Sequence, residues 1–164
     1  MGSLIRSDLL PCLLMNNLHF MPLTKDDLNE LLQWHTDEEL SRRYAGTEWP
    51  KKLWEILQRD NQRRCWVVWN NGERIGYVDW EMHPDEHLAW IGLAVKPARR
   101  GKGWGVAILR AFLSADDAQA YSDIRAGIEP DNEASVRCFS SVGFMPMSDD
   151  PDEEGIVDYM YRRR

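Results

Sequence analysis

The stretch Arg99-Arg100-Gly101-Lys102-Gly103-Trp104-Gly105 sets basic side chains and glycines between an apolar run, 88–95, and a segment with helical periodicity. Glycine has no Cβ and lets the main chain approach a ligand closely. A helix start leaves its first N–H groups without acceptors. Together they suit an anion with several oxygens, such as a pyrophosphate. The stretch lacks the Gly-x-x-x-x-Gly-Lys-Ser/Thr of a P-loop. Val106 stands where a dinucleotide fingerprint needs its third glycine, and hairpins rather than a βαβ unit precede it. On its own, a basic glycine turn need only join a strand to a helix. A second group with chemical potential is Asp79 and Glu81, which alternate onto one strand face, followed by Glu86 and His87 before the apolar run. Carboxylates and imidazoles take up protons. Each of these positions, taken singly, equally suits a solvent-facing residue.

These residues must be placed by the elements around them. The run 17–24 predicts a first strand ending at Pro22, with Thr24 as N-cap of a helix whose Asp26 and Asp27 sit in its first turn. Leu28, Leu31, Leu32 and His35 recur at helical spacing and give that helix one buried face. A second helix starts at Pro50. Asn71-Gly72 predicts a two-residue hairpin turn, pairing 65–69 with 74–82. In the second strand Tyr77, Asp79 and Glu81 share a face and Val78, Trp80 and Met82 the other. The apolar run 88–95 predicts a central strand covered on both faces, and Gly92 inside it points to a bulge or a close approach of main chain. A helix follows with Trp104, Ile108 and Phe112 on one stripe. Next come a strand over 123–130, a short helix from Glu133 to about Val142 stopped by Gly143, a solvated acidic loop and a last strand.

At 164 residues the chain fits one domain over 17–164, with 1–16 as an extension and Met15 as an alternative start. A formal charge of −7 argues against a nucleic-acid binder and leans toward cationic partners. Cys12, Cys65 and Cys138 are scattered, with neither disulfide nor zinc spacing, so no metal is expected. Arg6, Asp8 and Pro11 interrupt the apolar start before it reaches signal or membrane-spanning length, and Arg6 breaks a myristoylation pattern. The expectation is a cytoplasmic protein, monomer or homodimer, without nucleic-acid or membrane partners. The eight tryptophans fill a core or line a pocket.

Arg100-x-x-Gly103-x-Gly105 straight after "LAVKP" resembles the acetyl-CoA loop of the GNAT superfamily of N-acetyltransferases. The stretch "NEASVRCFSSVGF", with Asn132, Ser135, Phe139 and Gly143-Phe144, is similar to that superfamily's second signature. The start "LHFMPLTKDDLNELLQWH" looks like the subgroup of aminoglycoside and ribosomal-protein N-terminal acetyltransferases. The resemblance implies an α+β fold: a mostly antiparallel sheet of six to seven strands, its central strands splayed by a bulge, flanked by about four helices. It implies acetyl-CoA as donor, held by the main chain of Leu93, Ala94 and Val95, by Arg100, Gly101, Lys102, Gly103, Trp104 and Gly105 around the pyrophosphate, and by Asn132 near the pantetheine. Trp104 is expected mainly to pack its helix. The acceptor would be a primary amine of a small molecule, aminoglycoside-like if cationic, or of a protein N-terminus. Its base would be Glu81 first, then Asp79, then His87. Many members carry a tyrosine acid where this chain has Phe139, which cannot donate a proton. Ser135, unassisted thiolate departure, or acyl-CoA binding without catalysis are the alternatives, with Cys138, Tyr159 and Tyr161 as further hydroxyl or thiol donors.

Overall fold

The computed structural model describes residues 17–164; the expected extension 1–16 and the start at Met15 lie outside the described residues. Seven strands form one sheet in the order β1-β2-β3-β4-β5-β7-β6. They are β1 Leu18–Pro22, β2 Arg63–Asn70, β3 Glu73–His83, β4 Leu88–Val95, β5 Asp123–Ile128, β6 Met145–Pro146 and β7 Val157–Arg162. Every pairing is antiparallel except that of β4 with β5. The helices are α1 Leu28–Trp34, α2 Glu38–Arg43, α3 Trp49–Leu57, α4 Trp104–Leu113, α5 Asp116–Gln119 and α6 Glu133–Ser141. The short α2, α5 and β6 have no counterpart in the sequence reading.

The hairpin forms at Asn71-Gly72, both with positive φ, 49° and 78°, as a tight turn matched to strand twist requires. Its ladder slips once. Trp69 pairs with Arg74 but Val68 pairs with Gly76, leaving Ile75 as a bulge. Gly76 is needed there, because a Cβ would lie 2.6 Å from the Ala94 carbonyl oxygen. No slip occurs at Gly92. The β3–β4 register runs unbroken from Gly76↔Val95 to His83↔Leu88. Gly92 instead makes room for a side chain, since a Cβ on it would meet the Tyr44 hydroxyl at 1.9 Å.

Each face of the sheet carries its own core. On one, Trp104, Ile108 and Phe112 of α4 and Phe139 of α6 pack on Val78, Trp80, Ile91 and Ile124; the Phe112 ring lies 5.1 Å from Trp80 and 5.2 Å from Trp66. On the other, Leu31 and Trp34 of α1, Leu40 of α2 and Leu53 of α3 pack on Val67, Tyr77 and Ala94. The α1 face reads as its spacing predicts for Leu31 and His35, both fully buried, whereas Leu28 and Leu32 are half-buried. Thr24 opens a 3-10 turn, Lys25–Asp27, ahead of α1, and the Asp27 carboxylate accepts from the Thr24 N–H and hydroxyl (2.7 and 2.9 Å). Among the described residues no helix is long and apolar enough to cross a membrane.

His35 fixes the turn after α2. Its Nδ1–H donates to the Gly46 carbonyl (3.1 Å), and its Nε2 accepts from the Tyr77 hydroxyl (2.9 Å). Both nitrogens are satisfied with the ring neutral, and burial holds its pKa below the ordinary 6.5. The unfolded chain therefore takes up a proton before the native one does. The stabilisation is complete above pH 6.5 and is lost as pH falls from there through the lower native value. Urea denaturation should give a lower unfolding free energy at pH 5 than at pH 7, and His35→Gln should flatten that difference while weakening the protein at both values.

Candidate active site

Strands β4 and β5 run together only briefly. Leu88, Ala89 and Trp90 pair with Asp123, Ile124 and Arg125; beyond Trp90 the strands part, and β5 continues to pair with β7 as far as Ile128↔Val157. The expected splay is present, without the expected bulge. In an antiparallel ladder alternate residues aim their main-chain groups at opposite neighbours. Lys96 N–H bonds the Ile75 carbonyl at 2.8 Å, so Ala94, Gly92 and Trp90, in the same phase, face β3. Ile91, Leu93 and Val95 turn theirs to the slot left by β5.

The slot widens into a groove of about 850 Å³ that runs from the glycine-rich turn to β3, and its lining includes Leu93, Ala94, Val95, Arg100 and Gly101. At one end the chain leaves β4 through a 3-10 turn, Pro97–Arg99, and enters α4 through Gly101 (φ 70°) and Gly103 (φ 86°), left-handed conformations that glycine adopts without strain. The first in-helix bond of α4 is Ala107 N–H to Gly103, which leaves the Trp104, Gly105 and Val106 amides free at the groove wall. Gly105 also sets how closely α4 and α6 approach, its Cβ position being 3.1 Å from Cys138 Sγ. Trp104 lines the groove but is core-packed, as expected. Arg100 bonds Asp37 at 2.8 Å, and Arg99 is bound to Glu73. Lys102 stands apart: it is exposed, bonds the Ala98 carbonyl (3.4 Å), and is not among the lining residues.

Asn132 caps α6, its side-chain oxygen accepting from Ser135 N–H at 3.3 Å, so its NH₂ is what it can offer a ligand. Ser135 lines the groove, and its hydroxyl bonds no described residue. Phe139 is buried edge-on against Phe144, 5.0 Å between ring centres. The Cys138 thiol is pushed up by burial to about 11, which keeps it protonated and inert. Tyr159 is core, Tyr161 packs on Phe144, and neither lines the groove. Glu86 and His87 also lie outside it, in the turn before β4 where His87 takes a positive φ of 51°. Tyr159, Tyr161, Glu86 and His87 are thereby separated from the groove, whereas Cys138 and Phe139 line it.

At the far end Asp79 and Glu81 meet a residue that sequence reading missed. Arg63 grips Asp79 with two hydrogen bonds, Nε to Oδ1 at 2.9 Å and a terminal nitrogen to Oδ2 at 2.7 Å, and donates to Glu81 at 2.9 Å. Glu81 also bonds His83 Nε2 at 3.0 Å. Burial pushes the Asp79 carboxyl up and Arg63 pulls it back, leaving it raised. Tyr44 and Trp49 line this end with Trp90. Arg43 reaches from α2 to Glu129 and to Asp131 (2.6 Å), tying α2 to the connection that follows β5. Only an Arg63 facing Glu81 in the hairpin register would have signalled this cluster, and the bulge at Ile75 conceals that register.

Replacing Gly103 with Ile puts a β-branched side chain at φ 86° where the anion would sit, a strain of about 1–3 kcal/mol added to steric blockage. Titration calorimetry should show coenzyme A affinity falling by at least tenfold, with unchanged affinity removing the loop from the site.

A family model described as an acetyltransferase (GNAT) domain matches residues 17–145. An uncharacterised N-acetyltransferase of Bacillus subtilis, YfmK, is 28% identical over 143 residues, covering 87% of this chain and 95% of the relative. An L-2,4-diaminobutyric acid acetyltransferase of Streptomyces anulatus is 40% identical over 74 residues, covering 43% of this chain and 42% of its own length. Among solved structures, the fold is shared with AAC(6')-Ib in complex with ribostamycin and coenzyme A (TM-score 0.77, 18% identity, 90% of this chain and 94% of that one). It is shared too with spermidine N-acetyltransferase of Vibrio cholerae in complex with CoA and spermine (TM-score 0.75, 18% identity, 88% and 95%). With splayed strands, a basic glycine turn at a helix start and a model match over most of its length, the chain belongs to the GNAT family of acetyl-CoA-dependent N-acetyltransferases.

Proposed function

We propose that the protein transfers the acetyl group of acetyl-CoA to a primary amine of a small cationic molecule, with a peptide N-terminus as the second acceptor class, in the cytoplasm and as a monomer or homodimer. The observation that carries this is the opposite charge of the groove's two ends. The turn supplies Arg99, Arg100 and free amides to an anion. The far end sets four carboxylates, Glu39, Asp79, Glu81 and Glu129, against two guanidiniums, Arg43 and Arg63, a balance of two negative charges. Relatives named for diaminobutyric acid, and structures holding ribostamycin or spermine, involve cationic amines of this kind.

The chemistry follows from what each residue can do. An ammonium must lose its proton before its nitrogen has a lone pair to attack with. Asp79 has both oxygens engaged by Arg63 and little access to a substrate, so it holds the guanidinium. Glu81 is half-open to the groove and bonds His83, so it takes the proton and has a route onward to solvent. The Leu93 N–H, facing the slot, donates to the thioester oxygen as negative charge grows there. As the new C–N bond forms and the C–S bond breaks, Ser135 is the hydroxyl available to protonate the departing thiolate, whose ordinary thiol pKa is about 8.5. Asn132 and the α4 amides hold the remainder of the donor.

Glu81→Gln should lower kcat by roughly 10²–10⁴ and leave acetyl-CoA affinity unchanged. Thiol release measured over aminoglycosides, polyamines, diamino acids and peptides identifies the acceptor. Equal activity in the variant would place the base elsewhere. Tight acetyl-CoA binding without thiol release on any amine would support an acyl-CoA-binding protein instead.

A further inference from the structure

Arg125 stands where β4 and β5 part. Its partner across the strands is Trp90, the last residue of the parallel pairing, and Trp90 in turn lies opposite Glu81 on β3. Residues opposed across a sheet share a face, so Glu81, Trp90 and Arg125 form a row, with the α-carbons of the two charged residues two strand spacings, about 10 Å, apart. Trp90 lines the groove, as do Ala126 and Gly127, which follow Arg125 directly. The Arg125 guanidinium sits over the Trp90 indole, 5.8 Å from its centre, a contact that steadies a cation without consuming its N–H donors. Arg43 and Arg63, the other guanidiniums at this end, are each clasped by carboxylates. Arg125 has no hydrogen bond or ion pair to any described residue; its Nε is inaccessible, and its terminal nitrogens are open. Asp123, two residues away on the same strand face, has both oxygens taken by Arg162 at 2.9 and 3.0 Å. Asp158, placed diagonally on β7, makes no ion pair with Arg125. A half-buried guanidinium loses hydration on folding, and donors left unmet are costly. A fork of donors held on an aromatic ring at the mouth of a ligand slot is shaped for a carboxylate.

We propose that Arg125 binds a carboxylate of the acceptor, and that the preferred acceptor is a diamino monocarboxylic acid. One amine is delivered to Glu81 and the thioester, the carboxylate meets Arg125, and the carbons between them lie on the Trp90 indole. The assignment rests on the reading above that an amine is acetylated beside Glu81. The charges agree with it. At neutral pH such an acid carries two ammoniums and one carboxylate and remains cationic, which suits an end of the groove where carboxylates outnumber arginines. Amine and carboxylate meet different members of the row, so they belong on different carbons, as a side-chain amine provides. Polyamines and aminoglycosides offer ammoniums to the acidic residues but nothing to Arg125, which they approach as like charge.

The test follows thiol release from acetyl-CoA with pairs of acceptors that differ only by the carboxylate: 2,4-diaminobutyrate against 1,3-diaminopropane, ornithine against putrescine, lysine against cadaverine. In the native protein kcat/KM for at least one diamino acid should exceed that of its diamine by about tenfold or more. Arg125→Met keeps an unbranched apolar stem over Trp90 and should lower kcat/KM for that diamino acid by roughly 10–10², through KM. The diamine should be used as well as before or better, since a like charge is gone. Arg125→Lys, which keeps the charge without the fork, should restore part of the preference. A merely structural arginine would lower both members of a pair alike. That result would overturn the assignment, as would equal use of both members by the native protein, or acetylation of other amines with no diamino acid used; amine acetylation itself would survive each. Acetyl-CoA binding without thiol release on any amine would overturn both.

Discussion

The parting of β4 from β5 is the constraint on which the rest of the structure depends. A parallel pair that continued past Trp90 and Arg125 would consume the main-chain groups of Ile91, Leu93 and Val95 in a ladder. Because β5 keeps its other edge on β7 through Ile128, it can diverge without losing all its partners, and the sheet stays continuous across the slot. The opening thus lies inside the sheet rather than at its rim, where an exposed edge invites pairing with another chain. Everything else in the site is arranged around it. The turn into α4 lies just past the end of β4, α6 starts just past the end of β5, and Arg43 joins α2 to the residues following β5.

The second determinant is one extra residue. Without the bulge at Ile75, a two-residue turn at Asn71-Gly72 would place Arg63 opposite Trp80, on the other face of the hairpin. With it, Arg63 lies opposite Glu81 and clasps Asp79. A buried ion pair of this kind adds little net stability, because desolvation offsets much of the attraction, but losing one partner strands the other at a cost of about 3–5 kcal/mol. Its clearer consequence is orientation: Arg63 engages both oxygens of Asp79, while Glu81 is shared between Arg63 and His83.

What was legible in the sequence follows from which interactions are local. The hairpin at Asn71-Gly72, the stripe of Trp104, Ile108 and Phe112, the cap at Gly143 and the glycine turn are set by φ preferences and periodicity within a few residues, and they stand as read. The main chain of Leu93, Ala94 and Val95 and the placement of Asn132 and Ser135 came from motif order, and of those three residues the strand's phase turns Leu93 and Val95 to the slot and Ala94 to β3. Arg63, Arg43, Tyr44 and Trp49 were not legible, because each reaches the groove through a non-local relation: a bulge, a charge pair over 86 positions of chain, or a six-residue helix too short to show a period. Gly92 was read as a sign of close approach, but what approaches is a side chain from 48 residues earlier, and glycine spacing within a strand cannot tell main chain from side chain. His87 was a fair candidate by chemistry, yet a turn at the opposite end of β4 carries it away.

The two ends of the groove are also mechanically joined, and the joint is a shared carboxylate. Asp37 caps α2, accepting from Leu40 N–H at 2.9 Å, and binds Arg100 of the glycine turn at 2.8 Å. A helix of six residues has little intrinsic stability, so α2 depends on its cap, on Leu40 in the core and on Arg43 at its end. Those anchors in turn decide where Tyr44 points. The guanidinium of Arg100 in the glycine turn therefore helps hold the helix at the far end of the groove. Position is transmitted along this path through one cap, one buried leucine and one aromatic ring on Gly92, each too closely packed to shift independently.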